Sequence, residues 1–358
     1  MDEQLAEILS LCKKMGASDV HLRAGLPPVY RVGGRIQLTS GLPLTNDTLK
    51  RFFEKTAPPV THKMLETQRD VDYSVSLPGV SRFRVNCFYQ KGHLAFVFRQ
   101  IPFTLPTIDS IKLPKVMVDC VQRSSGLFLL CGPTGSGKST TIAALLQFLN
   151  STYQVRVVTL EDPIEFLFRD EKCEFLQREL RRDFTSFPEA LRGTLRQDPD
   201  IIMVGEMRET ETIELALTAA ETGHLVISTL HASSTASAIA RILGVFPADA
   251  REFIRDQVAS VLIGIVAQAL IPSKRDPAVR VAAREILINN PAIANLIRND
   301  KHEQIPMFLE TGTDVGMISM NAALEDMVVR DVITPDQAFP YSPDPEALLS
   351  RFERKGLL

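Results

Sequence analysis

Eight residues, Gly132-Pro133-Thr134-Gly135-Ser136-Gly137-Lys138-Ser139, constrain this chain more than any others. They match the pattern G-x-x-x-x-G-K-[S/T]. The run Gly126-Leu127-Phe128-Leu129-Leu130-Cys131 before them reads as a buried strand, and the run from Lys138 to Leu149 after them as a helix. Glycines let the backbone wrap a phosphate chain with its N–H groups turned inward. The helix N-terminus adds partial positive charge at the same place. The expected nucleotide-binding residues are Gly132, Pro133, Thr134, Gly135, Ser136, Gly137, Lys138, Ser139 and Thr140. In this geometry Lys138 reaches the β- and γ-phosphates of a nucleotide, and the Ser139 hydroxyl holds Mg²⁺.

Phosphoryl transfer also needs a metal holder, a group that positions water, and cations for the developing charge. The segment Asp198-Pro199-Asp200-Ile201-Ile202-Met203-Val204-Gly205-Glu206 is an apolar strand ending in a carboxylate, and Glu206 is the candidate for polarising the attacking water. Such strand ends line the ligand-binding edge of a parallel sheet. A second strand, Val157 to Leu160, runs into Glu161-Asp162-Pro163-Ile164-Glu165. Its acids are either a solvated turn or, at Glu161, a group facing metal and water. A third, Leu225 to Thr229, is bracketed by His224 and His231. The two are either structural or sense the γ-phosphate; zinc is disfavoured, because no further ligand lies at suitable spacing. Arg82 and Arg84, two apart on a strand, point to one face, and Arg99 ends the following strand. They form either an ordinary solvated face or a set of cations for a phosphate held by a neighbouring subunit.

The pattern along the chain divides it. Residues 1–99 alternate short helices and antiparallel strands, an α+β domain. Residues 100–114, with Pro102, Pro106 and Pro114, read as a linker. Residues 115–358 begin with strand–helix alternation, the mark of a mostly parallel sheet under helices, and become mainly helical after Ala248 apart from a strand near Val279 to Ile288. The apolar stretch from Ala259 to Ile271 is too short to span a bilayer and reads as a buried helix. The net charge of −3 exerts no general pull on nucleic acid. Five scattered cysteines without a C-x-x-C pair support neither a disulfide framework nor a zinc site. The start Met1-Asp2-Glu3-Gln4 lacks the basic residues of a secretion signal, so a reducing cytoplasm is the expected compartment.

Taken in order, the boxes resemble the type IV pilus retraction ATPases of the secretion ATPase superfamily. Gly16-Ala17-Ser18-Asp19-Val20-His21-Leu22 and Ser81-Arg82-Phe83-Arg84-Val85-Asn86 resemble the family's N-terminal motifs. Glu161-Asp162-Pro163-Ile164-Glu165 resembles its aspartate box, Gly205-Glu206-Met207-Arg208 its Walker B ending, and Thr222-Gly223-His224 through His231-Ala232 its histidine box. Ala292-Ile293-Ala294-Asn295-Leu296-Ile297-Arg298 resembles a helix associated with retraction, although Ala294 stands where an arginine is usual. Extension and type II secretion ATPases carry a longer N-terminal region and a four-cysteine zinc module that this sequence lacks.

The resemblance implies an α/β chain with an N-terminal PAS-like domain and a C-terminal RecA-like P-loop ATPase domain. It implies a homo-hexameric motor that hydrolyses ATP to power pilus retraction. Glu206 is then the catalytic base, Glu161 supports Mg²⁺ with Ser139, His224 and His231 sense the γ-phosphate, and Arg82, Arg84 and Arg99 are candidates for acting in trans. The implied partners are an inner-membrane pilus platform protein and a paralogous retraction ATPase, with no direct nucleic acid. The implied location is cytoplasmic, at the pilus base. A pilus-extension or type II secretion ATPase, or a nucleotide-gated ring with little turnover, are the alternative functions.

Overall fold

The computed structural model describes residues 2–101 and 104–358. Met1 and Pro102, the latter part of the expected linker, lie outside the described residues. The chain divides into two compact units, one of Met1–Leu105 with Glu161–Phe168 and Arg178–Ser186, the other of Pro106–Leu160, Arg169–Gln177 and Phe187–Leu358.

The first unit is built on six antiparallel strands: β1 (Ala17–Arg23), β2 (Val29–Val32), β3 (Arg35–Leu38), β4 (Asp70–Leu77), β5 (Ser81–Gln90) and β6 (His93–Ile101). Their order is β3-β2-β1-β6-β5-β4. Along β5, Phe83, Val85 and Cys87 are fully buried, whereas Arg84 is exposed. That alternation turns one face of the sheet to an apolar core with Leu5, Leu9, Phe52, Phe96 and Phe98. The helix Glu3–Lys14 contributes Leu5, Ile8, Leu9 and Cys12 to this core at helical spacing, and Asp2 caps its start by accepting from the Leu5 N–H. A helix Pro59–Gln68 also forms here, which the sequence reading missed.

The second unit carries seven strands: β7 (Gly126–Cys131), β8 (Arg156–Glu161), β9 (Glu174–Glu179), β10 (Ile201–Val204), β11 (Leu225–Leu230), β12 (Leu262–Pro272) and β13 (Arg280–Ile288). They run in the order β13-β12-β7-β11-β10-β8-β9. The β12–β7, β7–β11, β11–β10 and β10–β8 pairs are parallel, and β12–β13 is an antiparallel hairpin. β7, β10 and β11 are buried along their whole length, as expected for strands covered by helices on both faces.

The stretch from Ala259 to Ile271 is a correction. The helix Arg251–Val261 ends as it begins, and Leu262–Pro272 is β12. A continuous apolar run carries no periodicity to separate buried helix from buried strand. Its Ile263, Ile265 and Val266 are β-branched and suit the strand. Beyond β13, Leu324, Val328, Leu348 and Phe352 pack on Ile271 and Ala283 in a satellite core. No helix among the described residues is long and apolar enough to cross a membrane.

Candidate nucleotide site

β7 delivers the chain into the glycine loop, and the helix Lys138–Thr152 leaves it. Gly132 adopts φ +148°, and a Cβ there would stand 2.4 Å from the Gln268 carbonyl oxygen and 2.6 Å from Ser136 Oγ. At Gly137, φ is +85° and a Cβ would meet Gln268 Nε2 at 2.9 Å. Neither position accepts a side chain, so the loop lies directly on β12. Ser136 Oγ is buried with no hydrogen-bond partner. Lys138 is buried, and its Nζ donates to the carbonyls of Gly132 (2.9 Å) and Pro133 (3.0 Å). The ammonium is thus held over the loop by two acceptors that a phosphate can replace.

Neighbouring strands bring the acids to the same edge. β8 and β10 run in register, Leu160 beside Val204, and the Gly205 N–H donates to the Leu160 carbonyl at 2.8 Å. Glu161 follows Leu160, is buried, and accepts from the Glu165 N–H at 3.4 Å. After β10 the turn carrying Glu206 is pinned by hydroxyls of β11: Ser228 Oγ donates to the Val204 carbonyl at 2.6 Å and Thr229 Oγ1 to the Gly205 carbonyl at 2.5 Å. Glu206 lies 2.7 Å from Arg208 Nε and 3.5 Å from His231 Nε2. Partial burial, followed by the Lys138 charge, pushes the His231 pKa below its ordinary 6.5, against an opposing pull from Glu206. Among the described residues no three His, Cys, Asp or Glu side chains gather as a metal cage.

The neutral imidazole has a measurable consequence. A folded-state pKa below the unfolded 6.5 means that the stability tied to the neutral imidazole is present above that value and is lost as pH falls through the lowered pKa. ATPase activity is expected to show an acid limb with its midpoint below pH 6.5. His231→Asn should remove that acid limb; a limb unchanged in the variant assigns it to another group.

His224 is not brought to this edge. It enters β11 at the opposite end, where its carbonyl accepts from the Gly126 N–H at 3.1 Å and its Nδ1 lies 3.0 Å from the Ala219 carbonyl. Seven steps along the strand separate it from His231, roughly 23 Å at about 3.3 Å each. Bracketing a strand puts two residues at its opposite ends, so the structure does not bring His224 and His231 together at this edge. His224 instead closes the turn between the helix Thr210–Glu221 and β11.

The three arginines also part company. Arg82 is buried and paired with Glu179, with Ser74 Oγ accepting at 2.6 Å and Ser76 Oγ at 3.2 Å. Glu179 also accepts from Ser74 Oγ at 2.5 Å and from the Ile164 N–H at 3.1 Å. Arg82 therefore clamps the loop after Glu161, a role the sequence reading missed because β9 and Glu179 lay in a stretch without clear periodicity. Arg84 and Arg99 sit directly opposite each other on β5 and β6. Their side chains are 44% and 70% exposed, with Asp72 at 3.9 Å from Arg84 Nε and Asp19 at 2.8 Å from Arg99 Nε. Like charges face to face weaken a sheet.

A glycine loop, an acid-ended strand and an imidazole on one edge of a parallel sheet define a phosphate-loop nucleoside triphosphatase. The chain belongs to the Type II/IV secretion system protein family, which it matches over residues 109–313. It is 44% identical over 342 residues to the type IV pilus retractation ATPase PilT of Pseudomonas aeruginosa, covering 96% of this chain and 99% of that one. It is 35% identical to the type IV pilus ATPase PilU of the same organism, covering 95% and 88%. The crystal structure of the pilus retraction motor PilT with bound ADP superposes with a TM-score of 0.89 at 40% identity, covering 97% of this chain and 99% of that chain.

Proposed function

We propose that this protein is an ATPase motor that drives type IV pilus retraction, working as a ring of six copies, each a PAS-like domain followed by a RecA-like ATPase domain. The observation that carries this reading is the end-to-end similarity to a retraction ATPase, joined to a phosphate loop whose neighbours Glu206 and His231 stand within 3.5 Å of each other. Ring assembly, a cytoplasmic location at the inner-membrane pilus base, the platform-protein partner and pairing with a paralogous ATPase belong to the same proposal. Family resemblance supports them.

In this reading the backbone N–H groups of Gly132 to Thr140 receive the phosphates. Lys138 exchanges its two loop carbonyls for β- and γ-phosphate oxygens. Ser139 and Glu161 are oxygen donors, the type Mg²⁺ selects. When bound, Mg²⁺ neutralises charge between the β- and γ-phosphates. Glu206 accepts the proton of the attacking water, and His231, neutral, hydrogen-bonds the γ-phosphate. Arg82 stays a clamp, while the exposed pair Arg84 and Arg99 supplies charge to a phosphate on the adjoining subunit.

Two measurements test this. Deletion of the gene is expected to leave cells over-piliated and non-twitching; bald cells point to an extension motor instead. For the shared pocket, Lys138→Ala and the double variant Arg84→Ala, Arg99→Ala should each be inactive alone. An equimolar mixture of the two regains activity, because some interfaces unite an intact loop with intact arginines. No recovery on mixing removes the trans role from this pair.

A further inference from the structure

Beneath the glycine loop lies a polar chain that the reaction as described does not use. Gln268 is 3% exposed, on β12, one residue past the pairing of Ala267 with Cys131. Its Nε2 donates to the Ser136 carbonyl at 2.6 Å, and its Oε1 accepts from Thr141 Oγ1 and from Arg284 Nε, both at 2.9 Å. Arg284 faces Gln268 across the β12–β13 ladder and is itself buried. Its Nη2 donates to the Ile111 carbonyl at 3.4 Å, in the turn 107–113. Burial moves the Arg284 pKa down to about 10, which leaves the guanidinium charged at neutral pH.

The chemistry admits one orientation of the amide. Arg284 can only donate and the Ser136 carbonyl can only accept, so Oε1 must face the arginine and Nε2 the loop. A flipped amide would set oxygen against oxygen at Ser136. That carbonyl belongs to the loop whose N–H groups must face the phosphates. Held by Nε2, it points away from them; released, it is free to turn toward the anion and repel it. Gln268 also fills the space beside Gly132 and Gly137, so it touches the loop at both ends and in the middle.

We propose that Gln268 and Arg284 are positioning residues for the phosphate loop: the amide of Gln268 holds the Ser136 carbonyl out of the cradle, and Arg284 fixes the sense of that amide. The pair touches no reacting atom and acts on nucleotide binding through the shape of the loop. Through the Ile111 carbonyl, Arg284 also ties loop geometry to the turn 107–113. The inference rests on the nucleotide reading of the loop.

Isothermal titration of the full-length protein with Mg·ADP, alongside steady-state ATP kinetics, provides the test. Gln268→Met keeps length and burial but removes donor and acceptor; its ADP affinity is expected to fall about tenfold, with KM rising more than kcat falls. Arg284→Met should give a similar loss, and Arg284→Lys, which restores one donor, should recover part of it. Because both residues act through one amide, the double variant should be no weaker than the weaker single one. Gln268→Glu keeps a partner for Arg284 and hence the fold, yet sets a carboxylate against the Ser136 carbonyl; it should lose at least as much affinity as Gln268→Met. ADP affinity within twofold of wild type in Gln268→Met, or in Gln268→Glu if Gln268→Met does not fold, overturns the proposal. So do losses that multiply in the double variant. If the wild-type protein itself fails to bind ADP, the nucleotide reading has failed rather than the positioning pair.

Discussion

Lys138→Ala is expected to reduce ATP hydrolysis to background. The ammonium is held inside the loop, gripped by the carbonyls of Gly132 and Pro133. Alanine removes the charge that neutralises the β- and γ-phosphates and takes the ammonium donor from the buried Gly132 carbonyl. A preorganised donor at a developing charge is typically worth ~10²–10³ in rate, and loss of binding adds to that. Steady-state phosphate release measures the effect. The variant should still fold, because the helix Lys138–Thr152 is held by Ile142, Leu145, Leu146 and Leu149. Turnover within tenfold of wild type in a folded variant would remove the phosphate loop as the seat of the reaction, and the motor reading with it.

Glu206→Gln is expected to separate binding from chemistry. The substitution is nearly isosteric and the turn carrying it is held by Ser228 and Thr229 rather than by the carboxylate. ATP should bind with affinity near wild type, because Glu206 does not belong to the cradle. Hydrolysis should fall by about 10²–10⁴, the usual contribution of a positioned general base. The variant also removes the carboxylate that raises the His231 pKa, so the imidazole becomes still harder to protonate. Single-turnover measurement of bound ATP separates the two steps. A wild-type rate would move the base to Glu161, the acid that ends the neighbouring strand β8.

How much of this was visible in the amino-acid order varies residue by residue. The loop, its strand and its helix were legible because their chemistry is local: glycine spacing, an apolar run and a helical run are contiguous. Glu206 was legible for the same reason, as an acid closing a short buried strand. Ala259 to Ile271 was misread because an apolar run buried on all sides has no period to report its conformation. The separation of His224 from His231 was not legible from the pair of histidines alone, because a strand holds its two ends apart. Gln268 and Arg284 went unnoticed, though a signal was present: each is a long polar side chain inside an apolar strand, where burial demands a partner.

The linear order of residues was sufficient for the class of chemistry and the family, since both rest on short motifs that act through neighbours in sequence. It did not reveal which arginine is committed. Arg82 and Arg84 are two residues apart and identical in type, yet one is locked to Glu179, ninety-seven positions away, while the other stays at the surface. Partners that distant are joined by folding alone, because the strength of a buried ion pair depends on separation in space and on exclusion of water. The same holds for the amide of Gln268, which meets Ser136 across 132 positions and has a defined orientation only once Arg284 is opposite it.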